Sequence, residues 1–246
     1  MARFFVEPRQ ITGQLAAITG PDVKHISKVL RMNAGESITL LDGTGLVYHG
    51  EIAEIKKEEV VCRILGREKS TSEPTIKVTL VQGIPKGDKM ETIIQKCTEL
   101  GVDQVIPLAA ERSVVKLDGR KAAERQERWQ RVAAEAAKQC RRSGIPRVHR
   151  LCQWEELLSR VPPGALVLMP WENEKKQSLR QVLEQAAHPG EVYILIGPEG
   201  GFGDREVALA VERCFSLVTL GPRILRTETA GPSVLTMVLY HYGELG

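Results

Sequence analysis

The sequence predicts an α/β protein in two parts, a small β-barrel over residues 1–72 followed by a mostly parallel sheet covered by helices over residues 73–246. Three observations carry this reading. The first seventy residues alternate short apolar runs with turn residues. Residues 66–74 lapse into Arg, Glu, Lys, Ser and Thr and end at Pro74, as a linker does. Beyond it, β-rich apolar runs alternate with helical patterns, the arrangement that a parallel sheet requires.

Strands are predicted at 3–6, 37–41, 47–55 and 60–65, with Asp42, Gly43, Thr44 and Gly45 supplying turn chemistry between two of them. A helix over 21–30 interrupts the series. In the second part the strands are 76–81, 102–106, 166–169, 192–196 and 216–220. A long helix over 120–142 places Trp129, Val132, Ala133, Ala136 and Cys140 at helical spacing, while Arg125, Arg128, Arg131, Lys138 and Arg142 point elsewhere. Gly144 is its expected stop, with Pro146 beyond.

Composition narrows the function classes. Hydrophobic residues make up 42% of the 246, enough for a sizeable core. No run of eighteen apolar residues suggests a membrane span, and residues 1–10 lack an apolar leader, so a cytoplasmic location is expected. The five cysteines are widely spaced, with no CxxC and no histidine pair at zinc-ligand spacing, so reduced, mostly buried thiols and no metal are expected. The net charge of +3 does not by itself argue for nucleic acid, but between Arg112 and Arg150 twelve Lys or Arg face four Asp or Glu. That concentration suits either a solvated helix face or an RNA footprint.

Two loops stand out. In ILIGPEGGFG at 194–203 a buried strand runs into four glycines within seven residues and then a helix start at Asp204. Glycines there let backbone approach a ligand closely or take up positive φ. There is no GxxxxGK[ST], and Gly201 with Gly203 lacks the third glycine of GxGxxG, so phosphate-cradle and dinucleotide folds are disfavoured. The second loop, LGPRILRTETA at 220–230, follows the next strand and precedes the last helix. Ligands of open α/β sheets bind beyond the carboxyl ends of the strands, so both loops are expected to face one crevice.

Together these loops resemble the SPOUT-class methyltransferases that modify N3 of a uridine in small-subunit (16S) ribosomal RNA. KMETIIQKCTELGV at 89–102, ERSV at 111–114 and RWQRVAAEAAKQ at 128–139 are similar to the same family's helical regions, and HISKVLR at 25–31 with Asp42 and Gly43 resembles its N-terminal RNA-binding domain. The resemblance covers nearly the whole chain. It implies a PUA-like barrel at the N-terminus, a SPOUT-type sheet with a trefoil knot at the C-terminus, and a homodimer with its active site near the subunit interface.

The resemblance further implies S-adenosylmethionine as cofactor, held by Gly197, Glu199, Gly200, Leu220, Gly221, Ile224, Leu225 and Thr229, with Pro170 and Glu172 closing one side. The target uridine is implied to lie near the decoding region of the assembled subunit. Attack by N3 requires loss of its proton, and arginine cannot be the base because it stays charged. Arg223 and Arg226 are instead candidates for stabilising the charge that develops on the uracil carbonyls. Glu199 and Glu228 are the carboxylates of the two loops, and each is placed either to accept the proton or to cap a helix; water is the third candidate. N3 lies on the Watson–Crick edge, so the base must be unpaired or flipped out. RNA contacts are expected from Lys24, His25, Lys28, Arg31, Arg112 and Arg142, through backbone charge more than base stacking. Two rival readings remain at this level, a ribose 2′-O-methyltransferase of ribosomal or transfer RNA and a non-catalytic ribosome-assembly factor.

Overall fold

A computed structural model of the chain describes residues 2–115 and 119–246. The residues fall into two compact units, Met1–Glu73 with Ala137–Ile145, and Pro74–Ala136 with Pro146–Gly246.

The first unit is built on a six-stranded sheet of β1 (Ala2–Phe5), β2 (Ile11–Thr12), β3 (Leu15–Thr19), β4 (Ser37–Leu41), β5 (Leu46–Ile55) and β6 (Glu59–Lys69), in the order β1-β4-β5-β6-β3-β2. β1 pairs parallel to β4 and every other pairing is antiparallel. The β4–β5 turn forms where the sequence places it, because the Asp42 carboxylate accepts hydrogen bonds from the N–H of Thr44 and Leu46 and from the Thr44 hydroxyl, while Gly43 and Gly45 adopt positive φ. Phe4, Ile18, Ile26, Ile38, Leu40 and Ile52 form the core of this unit. The helix expected at 21–30 is α1 (Pro21–Lys24), continued over His25–Leu30 as a wider π-type turn that ends on Arg31 in the left-handed region. β2 and β3 were not expected from the sequence pattern.

The second unit is a fully parallel six-stranded sheet, β7 (Lys77–Gly83), β8 (Gln104–Leu108), β9 (Arg147–Val148), β10 (Leu166–Pro170), β11 (Glu191–Ile196) and β12 (Ser216–Val218), ordered β12-β10-β11-β7-β8-β9. Its helices are α2 (Lys89–Leu100), the part of α3 (Gly119–Gln139) that precedes Ala137, α4 (Trp154–Arg160), α5 (Leu179–Gln185), α6 (Asp204–Glu212) and α7 (Thr227–His241). Successive strand residues face opposite sides of the sheet, and two apolar clusters result. Val192, Ile194 and Ile196 of β11 pack with residues of α2, α3, α5 and α7, whereas Tyr193 and Leu195 pack with α4 and α6. Burying both faces explains why these strands read as continuous apolar runs. No helix among the described residues is long and apolar enough to cross a membrane.

α3 ends at Gln139, and its stop is not Gly144. Arg141 turns the chain instead, with φ 63°, while Gly144 keeps an ordinary φ. The reason is Glu73, whose carboxylate accepts from Arg142 Nη2 at 2.6 Å, from Arg142 Nε at 3.1 Å and from the N–H of Ser143 and Gly144 at 2.9 Å. A Cβ on Gly144 would lie 3.0 Å from that carboxylate, so close approach rather than a turn is what this glycine serves. Arg142 is therefore corrected as an RNA-contacting candidate, because its side chain is buried and held by Glu73. Of the cysteines, Cys62, Cys97 and Cys152 are buried, and burial pushes the Cys62 and Cys152 thiols up to about 11, which leaves them protonated and poor nucleophiles.

Candidate active site

β11, β10 and β12 are neighbours in the sheet and end at Ile196, Pro170 and Val218. The loops that leave these ends enclose a cavity of about 330 Å³ lined by both glycine loops and by Pro170, Trp171, Glu172 and Lys175. Every predicted cofactor residue except Thr229 lines it: Pro170, Glu172, Gly197, Glu199, Gly200, Leu220, Gly221, Ile224 and Leu225.

The first loop doubles back on itself, with the Gly201 N–H donating to the Pro198 carbonyl at 2.9 Å. A Cβ on Gly197 would sit 3.0 Å from the Gly201 backbone, and one on Gly201, where φ is 68°, would sit 2.9 Å from the Glu172 carboxylate. Gly200 has no such demand on φ, and a Cβ there meets Arg112 at 3.1 Å. Beyond the loop, buried Glu206 accepts the N–H of Gly203 at 2.8 Å and of Glu111 at 3.0 Å, pinning the start of α6. In the second loop Gly221 adopts φ 101° with open space around its Cα, and Ile224 is almost wholly exposed.

Side chains outside the two motifs lock the loops together. Gln82, buried at the end of β7, donates to the Thr227 hydroxyl at 2.9 Å, and that hydroxyl donates to the Gly197 carbonyl at 2.7 Å. Lys89 Nζ lies 2.9 Å from Glu199 Oε1 and 3.3 Å from Glu228 Oε2, joining one carboxylate from each loop. Burial pushes the Glu199 carboxyl up, but the Lys89 ammonium and the Lys86 N–H outweigh it and hold the carboxyl below its ordinary range. Glu199 is thus ionised, paired and a weak base.

The cavity fits a nucleoside-sized ligand. Its volume falls in the usual range for small-molecule sites, roughly 300–1,000 Å³. Ile196, Phe202, Leu220 and Leu225 give it apolar surface, Gly221 exposes main chain with no side chain in the way, and the Glu172 carboxylate supplies negative charge.

Comparison with known proteins decides the family. Residues 71–239 match the RNA methyltransferase domain family, and residues 18–65 match the RNA methyltransferase PUA domain. The chain belongs to the RNA methyltransferase family. Ribosomal RNA small subunit methyltransferase E of Bacillus subtilis (strain 168) is 38% identical over 247 residues, covering 98% of this chain and 96% of its own. The protein of the same name from Synechocystis sp. (strain ATCC 27184 / PCC 6803 / Kazusa) is 32% identical, covering 96% and 76%. A crystal structure of ribosomal RNA small subunit methyltransferase E from Neisseria gonorrhoeae, bound to S-adenosyl methionine, superposes with a TM-score of 0.83 at 33% identity, covering 98% of this chain and 97% of that one. The SPOUT-type parallel sheet and the β-rich PUA-like domain expected from the resemblance are both present.

The remaining predicted residues of this RNA methyltransferase divide clearly. Arg223 and Glu199 line the cavity, whereas Arg226 stands at the N-terminus of α7, 84% exposed, with Nη1 4.0 Å from Glu228 Oε1. Thr229 is exposed within the first turn of α7 and away from the cavity lining; Thr227, two residues earlier, is the buried threonine of the site. Arg112 leans on the first loop, donating to the Gly200 carbonyl and to Asp204, each at 3.4 Å. Lys24, His25, Lys28 and Arg31 are all exposed on one short helical stretch, beside exposed Val29 and Leu30. The sequence reading missed Lys89, Gln82 and Thr227 as site residues. Lys89 and Thr227 lie inside the quoted motifs, and their roles depend on partners more than a hundred residues away, or thirty in the case of Gly197.

Gly221 offers a direct test of the cavity. Gly221→Val places a branched side chain at φ 101°, a region that costs an L-residue roughly 1–2 kcal/mol, and directs it into open space beside the loop. Calorimetry should show S-adenosylmethionine affinity falling by about tenfold or more, on the scale of 1.4 kcal/mol per tenfold, while circular dichroism stays that of the folded chain. Unchanged affinity would remove this loop from the site.

Proposed function

We propose that the protein transfers a methyl group from S-adenosylmethionine to N3 of a uridine in 16S ribosomal RNA, near the decoding region of the assembled small subunit. The observation that carries this is the cavity at the ends of β11, β10 and β12, framed by both glycine loops, in a chain of the RNA methyltransferase family. The PUA-like domain of residues 1–72 takes part in binding the RNA, and residues 73–246 form the catalytic domain, apart from the segment Ala137–Ile145, which packs in the first unit. The working form is a cytoplasmic homodimer that uses no metal.

When bound, the cofactor supplies a methyl group on a positively charged sulfur. Main-chain groups of Gly197, Gly200, Leu220, Gly221, Ile224 and Leu225 hold it, with Pro170 and Glu172 on one side. The uridine N3 proton passes to water, or to Glu199 when its pair with Lys89 opens, and the negative charge left on N3, O2 and O4 is stabilised by Arg223 and Arg226 as fixed cations. Glu199, bound to Lys89, positions the first loop and is available as a proton acceptor only if that pair opens.

The reading is tested by incubating small-subunit ribosomal RNA, free and assembled, with the protein and labelled cofactor, then separating nucleosides by mass spectrometry. The expected product is 3-methyluridine. A methyl on the ribose would assign the 2′-O class instead, and no transfer to either substrate would sink the enzymatic reading.

The first-unit helical stretch carries a second expectation. Lys28→Glu with Arg31→Glu should weaken RNA binding and lower the slope of log affinity against log salt by about 0.7 to 0.9 for each phosphate no longer neutralised. Cofactor affinity should hold. An unchanged slope would show that this face does not touch the RNA.

A further inference from the structure

The first unit contains a second cleft, of about 650 Å³, that takes no part in the cofactor site. Phe5 and Leu41, paired across β1 and β4, give it apolar wall, with Phe4 buried in the core behind, and Arg3, Lys138 and Arg141 bring three basic side chains. Asp22 is the carboxylate among its lining residues and stands 3.5 Å from Lys138. His25, edge-on to Phe4 with ring centroids 6.0 Å apart, His49, bonded to Glu68 at 2.9 Å, and Thr39 complete the lining. Positive charge over an aromatic wall, in a space of this size, matches one nucleotide of a nucleic-acid strand.

Two observations separate this cleft from an incidental groove. Lys138 and Arg141 come from Ala137–Ile145, which packs with the first unit although it lies far along the chain. Glu73 fastens that segment through Arg142, Ser143 and Gly144. Arg141 itself is held at φ 63°, a conformation that glycine would adopt more readily. That turn closes α3, with the Arg142 N–H returning to the Ala137 carbonyl at 3.0 Å, and it brings Arg141 to the cleft beside Lys138.

We propose that this cleft receives one nucleotide of the substrate RNA, with its phosphate among Arg3, Lys138 and Arg141 and its base against Phe5. The proposal rests on RNA being the substrate, and it assigns RNA-binding residues beyond the exposed stretch that carries Lys28 and Arg31.

The test uses the full chain with Arg3→Gln and Arg141→Gly together, binding to small-subunit ribosomal RNA being measured from low to high salt. Glycine suits the left-handed backbone at position 141, so the variant keeps its fold, and its cofactor affinity and thermal unfolding serve as controls. RNA affinity should fall about tenfold or more at physiological salt, since hydrogen bonds to charged groups are the stronger ones, and the salt slope should drop by about 0.7 to 0.9, for the one phosphate no longer neutralised. Wild-type protein that binds the RNA while the variant matches it in affinity and slope would overturn the cleft assignment. Wild-type protein with no RNA affinity would instead overturn the substrate reading, and this proposal with it. Uridine 5′-monophosphate provides the remaining arm: if it bound the cleft as tightly as the RNA does, the site would belong to a free small ligand and the proposal would fall.

Discussion

Glu73→Gln should destabilise the first unit by roughly 3–5 kcal/mol, the usual cost of removing one charge from a buried ion pair. Arg142 is only 6% exposed, so its buried guanidinium would lose the charged carboxylate that holds it at 2.6 Å. Hydrogen exchange of amides in residues 2–73 reads the loss directly. Trp129, Trp154 and Trp171 all lie in the second unit, so tryptophan fluorescence reports on that unit and serves as an internal control. Adding Arg142→Met to Glu73→Gln should recover part of the stability, because the glutamine carbonyl still accepts from Ser143 and Gly144 and the buried guanidinium is gone. The pH dependence follows from the same interactions. Burial pushes the Glu73 carboxyl up, but Arg142 and the N–H groups of Gly144 and Ser143 outweigh it, and the carboxyl lies below its ordinary range. Its contribution is therefore present above the unfolded value, near ~4.3, and is lost as pH falls through the folded one. The difference between wild type and Glu73→Gln should shrink in acid. Equal stability of the two proteins at pH 7 would refute the clamp.

The elements with local causes were legible in the sequence. The β4–β5 turn rests on Asp42, Gly43 and Gly45 within a few residues of one another, and β7, β10 and β11 are apolar runs because both faces of the sheet are covered, whereas the two residues of β9 are too few to show a pattern. β2 and β3 escaped because one has two residues and the other, Leu15–Thr19, carries two alanines and little β-branched pattern. The end of α3 was misplaced for a different reason. Gly144 is a reasonable stop by propensity, but an ion pair spanning 69 residues of sequence set the turn at Arg141, and no window of sequence contains both partners. The site divides in the same way. Both glycine loops were readable because their demands are local, as where the Gly201 N–H returns to the Pro198 carbonyl, whereas Glu172 against Gly201 was reached only through the family resemblance. Thr229 was preferred to Thr227 because nothing local distinguishes two threonines in the first turn of a helix; the distinction is made by Gln82 on β7 and by Gly197 in the loop after β11. Lys89 is read only once α2 is seen to hold a carboxylate from each loop.

Arg226→Ala should lower the single-turnover methylation rate by roughly a hundred- to a thousandfold, or about 3–4 kcal/mol, the range for losing a donor that stabilises developing oxyanion charge. The structure explains why the loss should fall on rate. Arg226 caps α7 with extended backbone, its guanidinium is largely exposed, and its nearest carboxylate, Glu228, is 4.0 Å away and already faces Lys89. A side chain so loosely tethered braces little, and it lies outside the residues that line the cofactor cavity. S-adenosylmethionine affinity and thermal unfolding should therefore stay near those of the wild type. Arg226→Lys should restore only part of the rate, since an ammonium keeps the charge but not the planar fork that can reach a carbonyl with two parallel donors. Arg223 lines the cavity itself, so Arg223→Ala should reduce cofactor affinity as well as rate, and the two arginines are separable by measuring both quantities on each variant. If Arg226→Ala lowered cofactor affinity, stability and rate in parallel, Arg226 would be a brace for the second loop. If it turned over normally on saturating RNA, the charge on the uracil carbonyls would be met by Arg223 or by solvent, and Arg226 would leave the mechanism.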